Sequence, residues 1–125
     1  MERGPRRLDM SGDANSVRDA RHMVGDALSG ATASARDAVV LMADEVLTNA
    51  VVHGGGSFLL HLDASTRLVR VEVTDATPGQ PRVQRPDSER EHGRGVAIVD
   101  ALATKWGTNH LGSQKVVWFE LAIGR

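Results

Sequence analysis

Glu45, Asn49 and His53 recur at intervals of four in D-E-V-L-T-N-A-V-V-H-G-G-G, the stretch from Asp44 to Gly56. On a helix each step of four advances by roughly 40°, so the three polar side chains share a sector about 80° wide. Val39, Met42, Ala43, Val46 and Ala50 form an apolar stripe directly beside that sector, while Asp44 and Thr48 project toward water. A carboxylate and a carboxamide are thus held at the edge of a core-facing surface, where a solvated helix would place Lys or Arg. The asparagine carbonyl is a suitable Mg²⁺ ligand when phosphates supply the negative charge. The glutamate one turn earlier can take a proton from an attacking hydroxyl or water. A helix whose polar residues only border the core has the same spacing, so other parts of the chain must decide.

Two more features bear on that chemistry. In Leu68–Thr74, Val69, Val71 and Val73 alternate with Arg70, Glu72 and Thr74, the pattern of a strand with one face buried. Continued by one residue, the alternation puts Asp75 on the buried side at the strand's end. A buried carboxylate is costly without a donor to bind. This one can accept from an exocyclic amine, which adenine has and the O6 edge of guanine lacks. Farther on, Gly93-Arg94-Gly95 opens a helix, and glycines before a helix N-terminus make an anion site from unpaired backbone N–H groups and the positive dipole end. Residues 76–92 between them hold three prolines, six charged side chains and almost nothing apolar. Loops of that length in a compact domain are functional or disordered, and this one is placed to be a lid.

Other chemistries fail on the residues they require. His53-Gly54-Gly55-Gly56 mimics the oxyanion loop of esterases, yet no G-x-S-x-G nucleophile elbow occurs. Gly25 and Gly30 have the gap of a Walker A loop, but an alanine stands where the phosphate-binding lysine belongs. The five histidines lack zinc-ligand spacing, and the absence of cysteine removes disulfides, thiol catalysis and thiolate metal sites together. A net charge of −1 gives no reason to expect nucleic acid or an anionic membrane as partner. The longest apolar run, Ala38 to Ala43, is far too short to span a bilayer, and the charged N-terminus lacks the apolar region of a secretory signal. A cytoplasmic location is the expectation.

The elements that must hold these groups form one domain, 125 residues long and of ordinary composition at 41% apolar and 25% charged. Residues 1–7 read as a loose end and Leu8–Met10 as a short strand. A helix is expected from Asn15 to Leu28, with Val17, Ala20, Arg21, Val24 and Leu28 on one stripe and Ser29-Gly30 ending it. Ser34, with Asp37 three residues on, is the expected cap of the next helix, which stops at Gly54-Gly55-Gly56. Strands at Ser57–Leu62 and Leu68–Thr74 form a hairpin. A third helix runs from Val96 to about Thr104 with Val96, Val99, Leu102 and Ala103 toward the core, and strands at Trp106–His110 and Lys115–Ile123 close the chain.

In that order the motifs resemble those of the GHKL (Bergerat-fold) ATPases. E-V-L-T-N-A-V-V-H resembles their N box, D-A-T-P-G-Q-P their first glycine box, and H-G-R-G-V-A-I-V-D their second. Within that superfamily the chain is most similar to the small, stand-alone serine kinases of the anti-sigma-factor type (the RsbW and SpoIIAB group), which the closing K-W-G and K-V-V-W-F-E-L also resemble. The resemblance covers residues 8–123. It implies an α/β (α+β) two-layer sandwich, a mixed and mostly antiparallel sheet with helices on one face, binding ATP under a lid between the glycine boxes. By position, Asn49 matches the Mg²⁺ ligand, Glu45 the catalytic base, and Asp75 the residue that binds the adenine amino group. Gly79 would allow close backbone approach, and Gly93 and Gly95 would meet the phosphates. His53 is either a phosphate-side contact or a packed helix end, and Arg94 either reaches phosphate or is solvated. One departure is that D-A-T-P-G lacks the first glycine of the wider D-x-G-x-G pattern, with Ala76 and Thr77 before a proline, which bears on the tightness of binding. The implied activity is phosphorylation of a serine or threonine on a small anti-sigma antagonist protein, with a sigma factor as second partner and a homodimer left open. The rival reading is a module that holds a regulator protein and uses ATP only as a conformational ligand. A two-component histidine kinase would need a phospho-acceptor helical hairpin, which the first 30 residues do not supply.

Overall fold

A computed structural model describes residues 4–10, 14–54, 58–75, 97–112 and 114–123. In chain order the elements are β1 (Gly4–Met10), α1 (Ala14–Ala27), α2 (Ala33–Gly54), β2 (Phe58–Ala64), β3 (Leu68–Asp75), a helix α3 described over 97–102, β4 (Lys105–Leu111) and β5 (Gln114–Ala122). The five strands form one sheet in the order β1-β2-β3-β5-β4, and every described pairing is antiparallel.

The alternation in β2 and β3 decides which side is covered. Phe58, Leu60, Leu62 and Ala64 of β2 and Val69, Val71 and Val73 of β3 are buried. Directly opposed residues in an antiparallel pair project to the same face. Leu60 therefore lines up with Val73, and Val71 with Phe119 of β5, in one continuous apolar layer. Ala20 and Val24 of α1, Val39, Met42, Ala43 and Leu47 of α2, and Val99 of α3 join the same core. Each such apolar side chain contributes about 1.5–3 kcal/mol by leaving water. The result is the expected α+β arrangement, two layers with the helices on one face.

Among the described residues, the other face of the sheet is held by side chains and carries no helix. Arg70 donates to Glu72 and to Glu120 at 2.9 and 2.8 Å, and its guanidinium lies 4.4 Å from the centre of the Trp118 ring. Burial works to lower the Arg70 pKa, but the hydrogen bonds from Glu120 and Glu72 outweigh it and the net direction is up. Trp118 in turn lies across Gly107, where an added Cβ would come within 2.9 Å of the indole. No larger residue fits beneath that ring.

Local chemistry moves several boundaries from where the sequence puts them. β1 begins at Gly4, because its backbone pairs with β2 from Gly4↔Ala64 to Met10↔Phe58, so residues 4–7 are strand rather than a loose end. Pro5 is tolerated since β1 is an edge strand with one side unpaired. The cap of α2 is Thr32, whose hydroxyl accepts from the Ala35 N–H at 3.1 Å, not Ser34, which lies one residue inside the helix. The β2–β3 turn is closed by Ser65, whose Oγ accepts from the N–H groups of Arg67 and Leu68. Gly112, at φ 63°, makes the turn between β4 and β5 in the left-handed region that glycine enters without steric cost. Leu102, expected in the core, is 38% exposed, and Ile98 packs against the core instead.

Candidate nucleotide site

α2 positions the first two candidate residues by its packing. With Val39, Met42, Ala43 and Leu47 fully buried and Val46 nearly so, the rotation of the helix is fixed. Glu45 and Asn49 consequently sit half-buried beside the core stripe, one turn apart. Thr48 is exposed, as its spacing requires. Asp44 is not simply solvated: it is half-buried and accepts from Arg21 of α1 at 3.3 Å. That bond ties α1 to α2 beside a cleft of about 1120 Å³ on the outer side of the two helices, lined by Arg36, Asp37 and Leu41 among others and by neither Glu45 nor Asn49. His53 falls in the last turn of α2, and its side chain lies outside the described residues.

Asp75 is the last residue of β3, the strand on which α2 packs. It is half-buried and on the helix-facing side. Its row across the sheet runs from Phe58 on β2, through Asp75, to Lys115 on β5 and His110 on β4. Phe58 is fully buried, with Met10 of β1 beyond it in the same row, while His110 at the other end is exposed. Lys115 is half-buried, and its pKa is lowered because burial disfavours the charged ammonium, with Asp75 acting in the opposite direction. The alternation Lys115, Val117, Phe119, Leu121 already carries the signal that this lysine faces inward. What the sequence does not give is the register that sets it opposite Asp75.

The helices divide the sheet beneath them. α2 lies on β3, whereas α3 is anchored near β4 and β5. Trp106 donates to Asp100 at 2.8 Å, and the Thr104 N–H donates to the Glu120 carbonyl at 2.8 Å. The Asp75–Lys115 pair therefore lies at the boundary between the strand under α2 and the strands tied to α3. Gly79, Gly93, Arg94 and Gly95, with the whole of the expected lid at 76–92, lie outside the described residues. Among the described residues no group of three His, Asp or Glu side chains is arranged to hold a metal ion. Asn49 alone offers a neutral oxygen, which fits a cation brought in by nucleotide phosphates and not one held in an all-protein cage. No helix among the described residues is long and apolar enough to cross a membrane.

Comparison with known proteins places the chain in a family. The family model described as the histidine kinase-like ATPase domain matches residues 10–120, nearly the whole chain. No curated protein matches it.

Proposed function

The chain belongs to the histidine kinase-like ATPase domain family, which carries ATP binding with it, and we propose that it is a serine/threonine protein kinase of the anti-sigma-factor type. The observation that carries this reading is the pair Glu45 and Asn49, one turn apart on the half-buried edge of the helix that packs on the strand ending in Asp75. Binding alone has no use for a carboxylate beside a phosphate-directed carboxamide, since two negative groups repel. A proton acceptor does.

In the proposed reaction the adenine amino group donates to Asp75, and the phosphates run toward Asn49 and the N–H groups of Gly93 and Gly95. Gly79 lets the backbone approach the base, and His53 and Arg94 are candidates for phosphate contact. Mg²⁺, held by Asn49 and the phosphates, would offset charge on the transferring group. The acceptor hydroxyl oxygen attacks the γ-phosphorus while Glu45 takes its proton, and the bond to the bridging oxygen breaks to release ADP. The acceptor is a serine or threonine of a small anti-sigma antagonist. Phosphorylation adds roughly −1.5 to −2 charge, enough to break an interface beside acidic groups and free the kinase for a sigma factor.

The test is transfer of labelled γ-phosphate from ATP to a small regulator protein, followed by pull-down with both forms of that protein. Retention of the unmodified form and release of the phosphorylated form is expected. Equal retention of the two would remove phosphate as the switch, and nucleotide binding with no transfer to any acceptor would leave a regulatory module.

A further inference from the structure

Thirteen of the fifteen basic residues are arginine, and one of the two lysines, Lys115, is half-buried on the helix-facing side of the sheet. An arginine there could not shed its charge, whereas a lysine tolerates such a place and presents a compact donor. Register sets Lys115 directly opposite Asp75, and opposed side chains in an antiparallel pair have Cβ atoms about 4.5–5.5 Å apart. The sheet thus offers an acceptor and a donor side by side, at the boundary between the strand under α2 and the strands tied to α3.

We propose that Lys115 is a specificity-determining residue of the nucleotide site, its ammonium donating to the ring nitrogen N1 of adenine while Asp75 accepts from the 6-amino group. This rests on the reading of Asp75 as the base contact. Adenine presents a donor at position 6 next to an acceptor at position 1, the complement of Asp75 beside Lys115. Guanine presents the same two positions with donor and acceptor exchanged. Asp75 alone reads one group, and the pair reads the order of two. The buried wall at Phe58 leaves the Lys115 side as the direction in which the base edge extends.

Calorimetry with ATP and with 1-deaza-ATP, in which N1 is replaced by C–H, tests this on the full chain and on Lys115→Met, Lys115→Arg and Asp75→Asn. The unaltered protein should bind the analogue about 10-fold more weakly than ATP, the loss expected of one charge-assisted hydrogen bond. Lys115→Met should bind ATP about 10-fold more weakly and no longer distinguish the two nucleotides, and Lys115→Arg should recover part of the distinction. Because Lys115→Met also takes the opposed cation away from Asp75, its nucleotide-free thermal midpoint is measured alongside, and the ratio of the two nucleotides carries the test. A Lys115→Met protein that keeps the ATP to 1-deaza-ATP ratio of the parent, while Asp75→Asn weakens ATP, overturns the role of Lys115 and leaves the Asp75 assignment standing. An Asp75→Asn protein that binds ATP as the parent does overturns both.

Discussion

Two carboxylates and one carboxamide give the proposed site its character, and their surroundings differ in ways that predict their behaviour. Asp75 sits half-buried at a strand end, opposite a lysine, where an acceptor for an amine is well placed. Its change to Asn removes a charge-assisted hydrogen bond and should weaken ATP binding by about 1.5–3 kcal/mol, with the preference for ATP over GTP reduced. Calorimetric affinities for ATP and GTP that match in the parent protein would contradict the assignment. Lys115 carries a separate prediction. Burial lowers its pKa from 10.5, so between the lowered value and 10.5 the unfolded chain binds the proton more readily than the folded one. Stability should therefore rise as pH climbs through that window and be lost again as pH falls. The facing groups across the sheet are Asp75 and His110. Urea midpoints followed from neutral pH up to 10.5 should show the rise in the parent and a smaller one in Lys115→Met; identical curves would count against it.

At the scale of elements, what could be read from the sequence was what repeats locally. The spacing Glu45, Asn49, His53 sets a helical face because the helical period is fixed by backbone geometry, and the valines of β3 set a strand face for the same reason. Features that depend on a distant partner were not legible. Gly4–Arg7 are strand only because β2 offers them a ladder, and Lys115 opposes Asp75 only because β5 inserts between β3 and β4. Asp44 looked solvated until α1 brought Arg21 to it. The cap of α2 differs from the expected one for a subtler reason: Thr32 and Ser34 are both good caps, and they lie only two residues apart. Thr32→Ala should cost about 1 kcal/mol of stability in urea unfolding, and Ser34→Ala less than about 0.5 kcal/mol. The reverse ranking would put the cap back at Ser34. Gly107→Ala tests the outer face of the sheet, where the new methyl must displace the Trp118 ring and disturb its stacking with Arg70. A loss of about 1–3 kcal/mol with a shift in tryptophan emission is expected; unchanged emission would mean the ring has room to spare.

As a whole, the described residues form a single sheet with helices on one side, and the division of labour follows from that. The outer face is stitched by Arg70, Glu72, Glu120 and Trp118, which help the sheet keep its register. The covered face buries the valines and leucines that hold α2 in the rotation that presents Glu45 and Asn49. Rigid elements thus carry the proposed base and the proposed adenine contact, while Gly93 and Gly95, the glycines proposed to meet phosphate, lie in sequence between β3 and α3. The expected consequence of the proposed roles is that nucleotide binding and phosphate transfer can be separated by changing one side chain. Glu45→Gln is that change, and it puts the central claim to the most direct test. With Mg-ATP affinity measured alongside single-turnover transfer to the acceptor protein, affinity should stay within about twofold, while transfer slows on the order of 10²–10⁴-fold, the usual worth of a general base. Transfer at the parental rate would contradict the assignment and make Glu45 a structural residue of an ATP-binding regulatory module.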